Sequence, residues 1–166
     1  DGFFQFLFSD QKELIISGAG GVGKTYLMGH LIDTIMPNYF KSCEIMGIKP
    51  EYDSVQMTAT TNKAAEVLGE ATGRPTSTIH SYLGLKVKED FKTGKSQLMK
   101  TANWKVHVRE IIFIDECSMI DSDLHKVINE GTLNSKIIYV GDRSQLPPVF
   151  EDVSLIYREN LPCYEL

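Results

Sequence analysis

The sequence lacks the usual means of stapling or anchoring a chain. Its three cysteines, Cys43, Cys117 and Cys163, contain no C-x-x-C pair, and an odd count argues against a disulfide or zinc framework. No apolar run approaches the ~20 residues of a membrane span. Phe3-Phe4-Gln5-Phe6-Leu7-Phe8 has no basic lead-in and no small-residue cleavage site, so it does not read as a secretory leader. Positive charge is not in excess: the formal net charge is −5, which by itself gives no sign of nucleic-acid binding. Internal repeats and low-complexity tracts are absent. These absences predict a soluble, cytoplasmic protein. At 166 residues the chain is one domain, able to bury on the order of 70% of its unfolded surface.

What is present centres on Gly18-Ala19-Gly20-Gly21-Val22-Gly23-Lys24-Thr25, which fits G-x-x-x-x-G-K-[ST] at every fixed position. Leu14–Ser17 reads as a buried strand before it, and Tyr26–Met36 as a helix after it. Strand, glycine-rich turn and helix N-terminus together make an anion site, because backbone N–H groups converge and the helix dipole favours negative charge. Lys24 is expected to reach the β- and γ-phosphates of ATP, and the Thr25 hydroxyl to hold Mg²⁺.

Along the chain, Asp1–Phe8 reads as the end of a helix packed on a sheet. Leu27, Leu31 and Ile35 give the next helix one buried face, and Pro37 is expected to stop it. Residues 38–53 read as a surface excursion. Ser54–Ala59 reads as a second strand. Thr60-Thr61-Asn62-Lys63 opens a helix to about Gly69, with Thr or Asn as its N-cap. Thr76–Leu83 reads as a short capped helix. Leu85–Met99 reads as a β-hairpin turning at Lys92-Thr93-Gly94-Lys95. Ile111–Ile114 and Ile137–Val140 are unbroken apolar runs, as expected of strands covered on both faces. Asp121 caps a helix that Gly131 stops. Strands alternating with helices predict a doubly wound α/β sheet whose ligands sit at the C-terminal strand ends. The 137–140 strand is expected between the other two, so that Gln145 reaches a γ-phosphate held by both.

The chemistry gathers at those strand ends. Asp115 follows a hydrophobic strand, where P-loop enzymes carry the carboxylate that completes the Mg²⁺ shell. Glu116 is then placed to orient or deprotonate an attacking water. Gln145 can accept from water and donate to a phosphate oxygen. Residues 85–109 carry seven Lys and Arg (86, 88, 92, 95, 100, 105 and 109) against Glu89 and Asp90, a local charge of +5 that leaves −10 elsewhere. Such a stretch is either a solvated lysine-rich hairpin or a phosphate-backbone contact. His80 either satisfies a helix terminus or faces nucleic acid. Phe91 either stacks on a base or tucks against the hairpin.

Taken in order, Gly18–Thr25, Thr58–Ala65, Ser77–Ser81, Asp115-Glu116-Cys117-Ser118-Met119 and Gly141-Asp142-Arg143-Ser144-Gln145-Leu146-Pro147-Pro148-Val149 resemble motifs I, Ia, Ib, II and III of superfamily 1 helicases. The branch resembled is the RecD-like one, which includes small phage DNA helicases. The resemblance implies a RecA-like P-loop domain over residues 1–166, the first motor domain (1A), with residues 85–100 as an inserted pin that splits duplex DNA. It implies a bacterial or phage-infected cytosol. It assigns Lys24, Thr25, Asp115, Glu116 and Gln145 to the nucleotide, and Thr60, Thr61, Asn62, Lys63 and His80 to single-stranded DNA, with Lys92 and Lys95 at the fork. Two departures stand out. The family's adenine-reading glutamine, roughly twenty residues before the loop motif, has no counterpart, and nothing after Val149 resembles motifs IV to VI. Leu161–Leu166 resembles the approach to motif IV. The chain is therefore expected to be part of a two-domain motor, without the motif VI arginine, and weakly active alone. The competing class is another P-loop protein: a nucleotide kinase, an AAA-type ATPase or a nucleotide-dependent switch.

Overall fold

Runs of Ile, Leu, Val, Phe and Tyr without polar alternation suit strands buried on both faces, and three of them form the centre of the molecule. The computed structural model describes the backbone of residues 2–17, 21–142, 146–150 and 154–157, and the side chains of residues 5–17, 28–142 and 146–150. In chain order the elements are α1 (Gly2–Leu7), β1 (Glu13–Ser17), α2 (Gly21–Met46), β2 (Ser54–Ala59), α3 (Asn62–Thr72), β3 (Ser77–Thr78), α4 (Ile79–Leu83), β4 (Leu85–Glu89), β5 (Ser96–Lys100), β6 (His107–Val108), β7 (Glu110–Asp115), α5 (Ser122–Glu130), β8 (Thr132–Leu133), β9 (Lys136–Gly141) and β10 (Ser154–Tyr157). Single 3₁₀ turns cover Cys117–Met119 and Pro148–Phe150.

The main sheet has six strands in the order β10-β1-β9-β7-β2-β3, with every pair parallel. The 137–140 strand lies between the other two, as expected. Alternate residues feed two cores. Leu14, Ile16, Ile111, Phe113, Ile138 and Val140 pack against α1, α2 and α3. Ile15, Ile112, Ile114, Ile137 and Tyr139 pack against α4, α5 and Phe150. This is the doubly wound α/β arrangement the sequence predicts.

Pro37 does not stop α2, which continues to Met46. An interior proline removes one i→i−4 bond and costs ~3 kcal/mol or more. The continuation offsets it, because Tyr39 and Cys43 extend the stripe of Met28, Leu31 and Ile35 and are 2% and 1% exposed. The Tyr39 ring stacks on Phe8 and its hydroxyl accepts from the Glu51 N–H at 2.7 Å. Residues 38–46 are thus helix, buried at Tyr39 and Cys43 and mostly exposed elsewhere, and only 47–53 form the connection. Two smaller differences follow from short pairings. Ser77–Thr78 is a strand beside β2 before α4 begins, and α3 runs on to Thr72.

The hairpin is present, with β4 and β5 antiparallel from Leu85↔Lys100 to Glu89↔Ser96. Its tip closes by Asp90 N–H to Lys95 O (2.8 Å) and Gly94 N–H to Asp90 O (2.7 Å), with Gly94 at φ +70°. Gly84 opens the hairpin at φ +79°, and a Cβ there would lie 2.5 Å from the Asn103 carbonyl, so only glycine fits. Residues 161–166 lie outside the described residues.

Candidate nucleotide and nucleic-acid site

Register aligns the C-terminal ends of the central strands. Ser17 pairs with Gly141, and Ala59 with Asp115. β1 and β7 flank β9, so their ends stand about 10 Å apart at ordinary strand spacing. The residues that leave this edge are those of the loop motif, Asp142, Glu116 and Thr60. Among the loop residues, Gly18, Ala19 and Gly20 lie outside the described residues. Gly21, Val22, Gly23, Lys24 and Thr25 are the first turns of α2, so the 26-residue helix starts inside the motif. Gln145 lies outside the described residues.

The chain turns sharply after Asp115. Glu116 is left-handed, φ 58° and ψ 46°, a conformation that costs a non-glycine residue about 1–3 kcal/mol. Its N–H donates to the Asp115 carboxylate at 2.9 Å. Its carbonyl accepts from the Met119 N–H at 3.1 Å and from the Thr60 hydroxyl at 2.9 Å. Cys117, fully buried, then packs under β9. A Cβ on Gly141 would come within 2.6 Å of the Cys117 Sγ, so the motif III backbone lies against the motif II thiol with room only for a glycine. Neither motif string hints at this contact, which only the fold reveals.

The residues assigned to DNA divide. Thr60 is 8% exposed; its N–H donates to Asp115 O at 3.2 Å and its hydroxyl to Glu116. Its hydroxyl faces the acidic turn and not solvent. Thr60 directly follows the last paired residue of β2, Ala59 opposite Asp115, and so stands beside the turn that Asp115 enters. Thr61 is the N-cap of α3, accepting from the Ala64 N–H at 3.1 Å. Asn62 and Lys63 are exposed on the first turn of that helix. His80 sits half-buried in α4, whose N-cap Thr78 accepts from the Ser81 N–H. Burial lowers its pKa below the ordinary imidazole value, and the charge of Asp121 opposes that. Thr61, Asn62, Lys63 and His80 lie beyond the C-terminal ends of β2 and β3, on the same edge as Glu116.

The hairpin lies apart from both cores beyond Leu85 and Leu98. Lys86, Lys88, Lys92 and Lys95 are exposed, and Phe91 at the tip is 93% exposed, so it does not tuck against its own strands. Two other cations of the basic stretch are committed elsewhere. Arg109 grips the Asp53 carboxylate with two bonds of 3.0 Å, and Lys100 pairs with Glu130 at 3.1 Å while lying over the Trp104 ring. Among the described residues no group of three His, Cys, Asp or Glu could hold a metal, and no helix is long and apolar enough to cross a membrane.

Comparison with known proteins fits this geometry. The family model described as an AAA domain matches residues 6–151. The chain is 30% identical over 166 residues to the uncharacterized protein R530 of Acanthamoeba polyphaga mimivirus, covering 88% of this chain and 31% of that protein. It is 29% identical over 164 residues to the RecBCD enzyme subunit RecD of Buchnera aphidicola, covering 87% of the chain and 24% of RecD. It is 28% identical over 144 residues to the ATP-dependent RecD2 DNA helicase of Deinococcus radiodurans, covering 86% of the chain and 17% of RecD2. The chain thus spans at most 31% of the length of these relatives. With the family model running from α1 past motif III over a parallel, doubly wound sheet, the chain belongs to this AAA domain family, as a RecD-like superfamily 1 motor domain with the RecA-like P-loop fold.

Proposed function

We propose that this domain is the ATP-binding first motor domain (1A) of a DNA helicase, coupling ATP hydrolysis to movement along single-stranded DNA and to duplex unwinding. The observation that carries the reading is the shared edge: the start of α2, Asp115-Glu116 and Asp142 leave neighbouring parallel strands at the same level. That is where ligands of open α/β sheets bind. The helix N-terminus at Gly21 suits phosphate. The donor set suits Mg²⁺, since Thr25 and Asp115 offer hard oxygens only. When bound, the ion would neutralise charge on the β- and γ-phosphates.

In this reading the residues act as follows. The backbone of Gly18, Ala19, Gly20, Gly21, Val22 and Gly23 cradles phosphate oxygens, and Lys24 reaches the terminal ones. Asp115 is held for the metal by the Glu116 N–H. Glu116 takes a proton from the attacking water, and Gln145 senses whether a γ-phosphate is present. Thr61, Asn62, Lys63 and His80 face single-stranded DNA. Residues 85–100 meet fork DNA as a pin, with Lys92 and Lys95 on phosphates and Phe91 against a base. A second motor domain is the implied partner, supplying the arginine that this chemistry uses.

The test is ATP turnover by the full-length protein with and without single-stranded DNA, beside unwinding of a forked duplex. DNA-stimulated turnover and unwinding are expected. Turnover indifferent to DNA would overturn the helicase reading in favour of another P-loop ATPase or a nucleotide-dependent switch.

A further inference from the structure

Thr60 belongs by motif to the stretch assigned to DNA, yet its polar atoms point the other way. Its N–H reaches the Asp115 carbonyl at 3.2 Å and its hydroxyl the Glu116 carbonyl at 2.9 Å. The hydroxyl proton is committed to that bond, and the residue is 8% exposed. Glu116 is the residue that most needs holding. It is one of three non-glycine residues of positive φ among those described, and such conformations persist only where the surroundings over-determine them. Its N–H is taken by the Asp115 carboxylate, and its carbonyl by Met119 from within the turn and Thr60 from outside it. The Thr60 hydroxyl ties this turn to the end of β2. The next two residues, Thr61 and Asn62, begin α3 with its exposed Asn62 and Lys63. A single peptide therefore joins the acidic turn to the helix start on the DNA side.

We propose that Thr60 is a positioning residue: its buried hydroxyl clamps the left-handed Glu116 turn from β2, fixing the direction of the Glu116 carboxylate and linking it mechanically to the first turn of α3. The inference rests on the helicase reading for its activity readouts, and on the geometry alone for its structural one. A general base acts only within about 2.6–3.2 Å of the proton it removes. A turn free to leave the left-handed region swings the carboxylate out of that range without altering the phosphate loop. The loss therefore falls on turnover and not on affinity.

Three versions of the full-length protein decide it: wild type, Thr60→Val, which keeps the shape and deletes the hydroxyl, and Thr60→Ser, which restores it. Thr60→Val is expected to lower DNA-stimulated kcat about tenfold, equivalent to ~1.4 kcal/mol at the transition state. KM for ATP and the Kd for single-stranded DNA should stay within about twofold, and Thr60→Ser should recover most of the rate, as one hydrogen bond's worth of effect implies. Hydrogen exchange gives a readout independent of activity. The amides of residues 116–120 should exchange about tenfold faster in Thr60→Val and as wild type in Thr60→Ser. An unchanged kcat, a loss confined to DNA affinity, or equal damage in both variants would overturn the clamp. If the wild type shows no DNA-stimulated turnover, the helicase reading fails, and the exchange comparison decides the clamp by itself: wild-type exchange in Thr60→Val overturns it.

Discussion

The contact between Gly141 and Cys117 offers a quantitative check on how the nucleotide edge is assembled. Gly141 ends β9 with no positive φ, so Gly141→Ala meets no backbone strain, only a lack of space. The new Cβ would lie 2.6 Å from the Cys117 Sγ, about 1 Å inside the ~3.5–4.0 Å contact optimum. Cys117 is fully buried and cannot swing into solvent, so β9 must move or the thiol must leave its rotamer. Overpacking of this kind costs about 1–3 kcal/mol. Cys117→Ala removes the obstructing atom. The nearest remaining atoms, the Cys117 N and Cβ, stand at 3.6 and 3.9 Å, which is ordinary contact. That substitution alone costs roughly 1 kcal/mol, as for deletion of one buried methyl-sized group. The double variant should therefore cost little more than Cys117→Ala, giving a coupling of about 1–3 kcal/mol in the cycle. The unfolded-chain entropy change of Gly→Ala, about 0.4–1 kcal/mol, appears in both the single and the double variant and cancels. Urea unfolding reads the four midpoints at constant m, and a 2 kcal/mol loss should appear as a fall of about 4–8 °C in Tm for a chain of this size. Losses that simply add, within ~0.5 kcal/mol, would mean that motifs II and III do not meet as described.

Glu116→Gln should retain ATP binding and lose hydrolysis, whereas Lys24→Ala should lose ATP binding while the domain keeps its unfolding midpoint; a glutamine variant that hydrolyses at the normal rate removes Glu116 from the role of base. Reversing Lys92 and Lys95 to Glu should reduce unwinding more than DNA-independent ATP turnover and lower the slope of log affinity against log salt by about 1.4, two contacts at ~0.7 each on single strands; an unchanged slope returns the hairpin to a merely solvated one. Stability should also depend on pH. Burial lowers the pKa of both His80 and His107 from the ordinary 6.5, so the unfolded chain binds more protons just below that value. Their contribution is fully present above about pH 6.5 and declines as pH falls through the window beneath it. Urea midpoints compared at about pH 7.5 and about pH 5.5 should drop, and His80→Gln should remove part of that drop; a pH-independent midpoint contradicts the burial of both rings.

The sequence made most of the sheet legible because strands buried on both faces carry an unmistakable pattern. Ile111–Ile114 and Ile137–Val140 could hardly be anything else, and the need for Gln145 to reach a shared phosphate placed the second between the first and β1 in advance. Caps were legible for the same local reason: Thr61, Thr78 and Asp121 each accept from an N–H three residues on. What escaped was decided at longer range. Pro37 is a strong local stop, overridden by the burial of Tyr39 and Cys43. β3, β6 and β8 are dipeptides without a period to detect. The hydrogen bond from the Thr60 hydroxyl to the Glu116 carbonyl spans 56 residues of sequence, and no local pattern announces it.

The fate of the cations sharpens the assignment of the DNA side. By sequence the whole of 85–109 is basic, and a run of that kind is most often a solvated face. The fold spends part of that charge internally. Arg109, itself in a left-handed conformation, fixes the 50–53 connection through Asp53 and the Pro50 carbonyl. Lys100 joins the base of the hairpin to α5 through Glu130. Elsewhere Lys12 and Lys136 are drawn inward onto main-chain carbonyls, and burial lowers the pKa of both. Lys86, Lys88, Lys92 and Lys95 form no ion pair among the described residues and stand exposed on β4 and the hairpin tip beside an exposed Phe91. In a protein of net charge −5, four unpaired lysines around an exposed aromatic tip support the proposed backbone-and-base contact, in which lysines would meet phosphates and a ring would meet a base. The hairpin is joined to the Glu116 turn through Leu85, α4 and β3, which pairs with β2 just before Thr60, and on the proposed function this is the path by which a change at the nucleotide would reach the DNA.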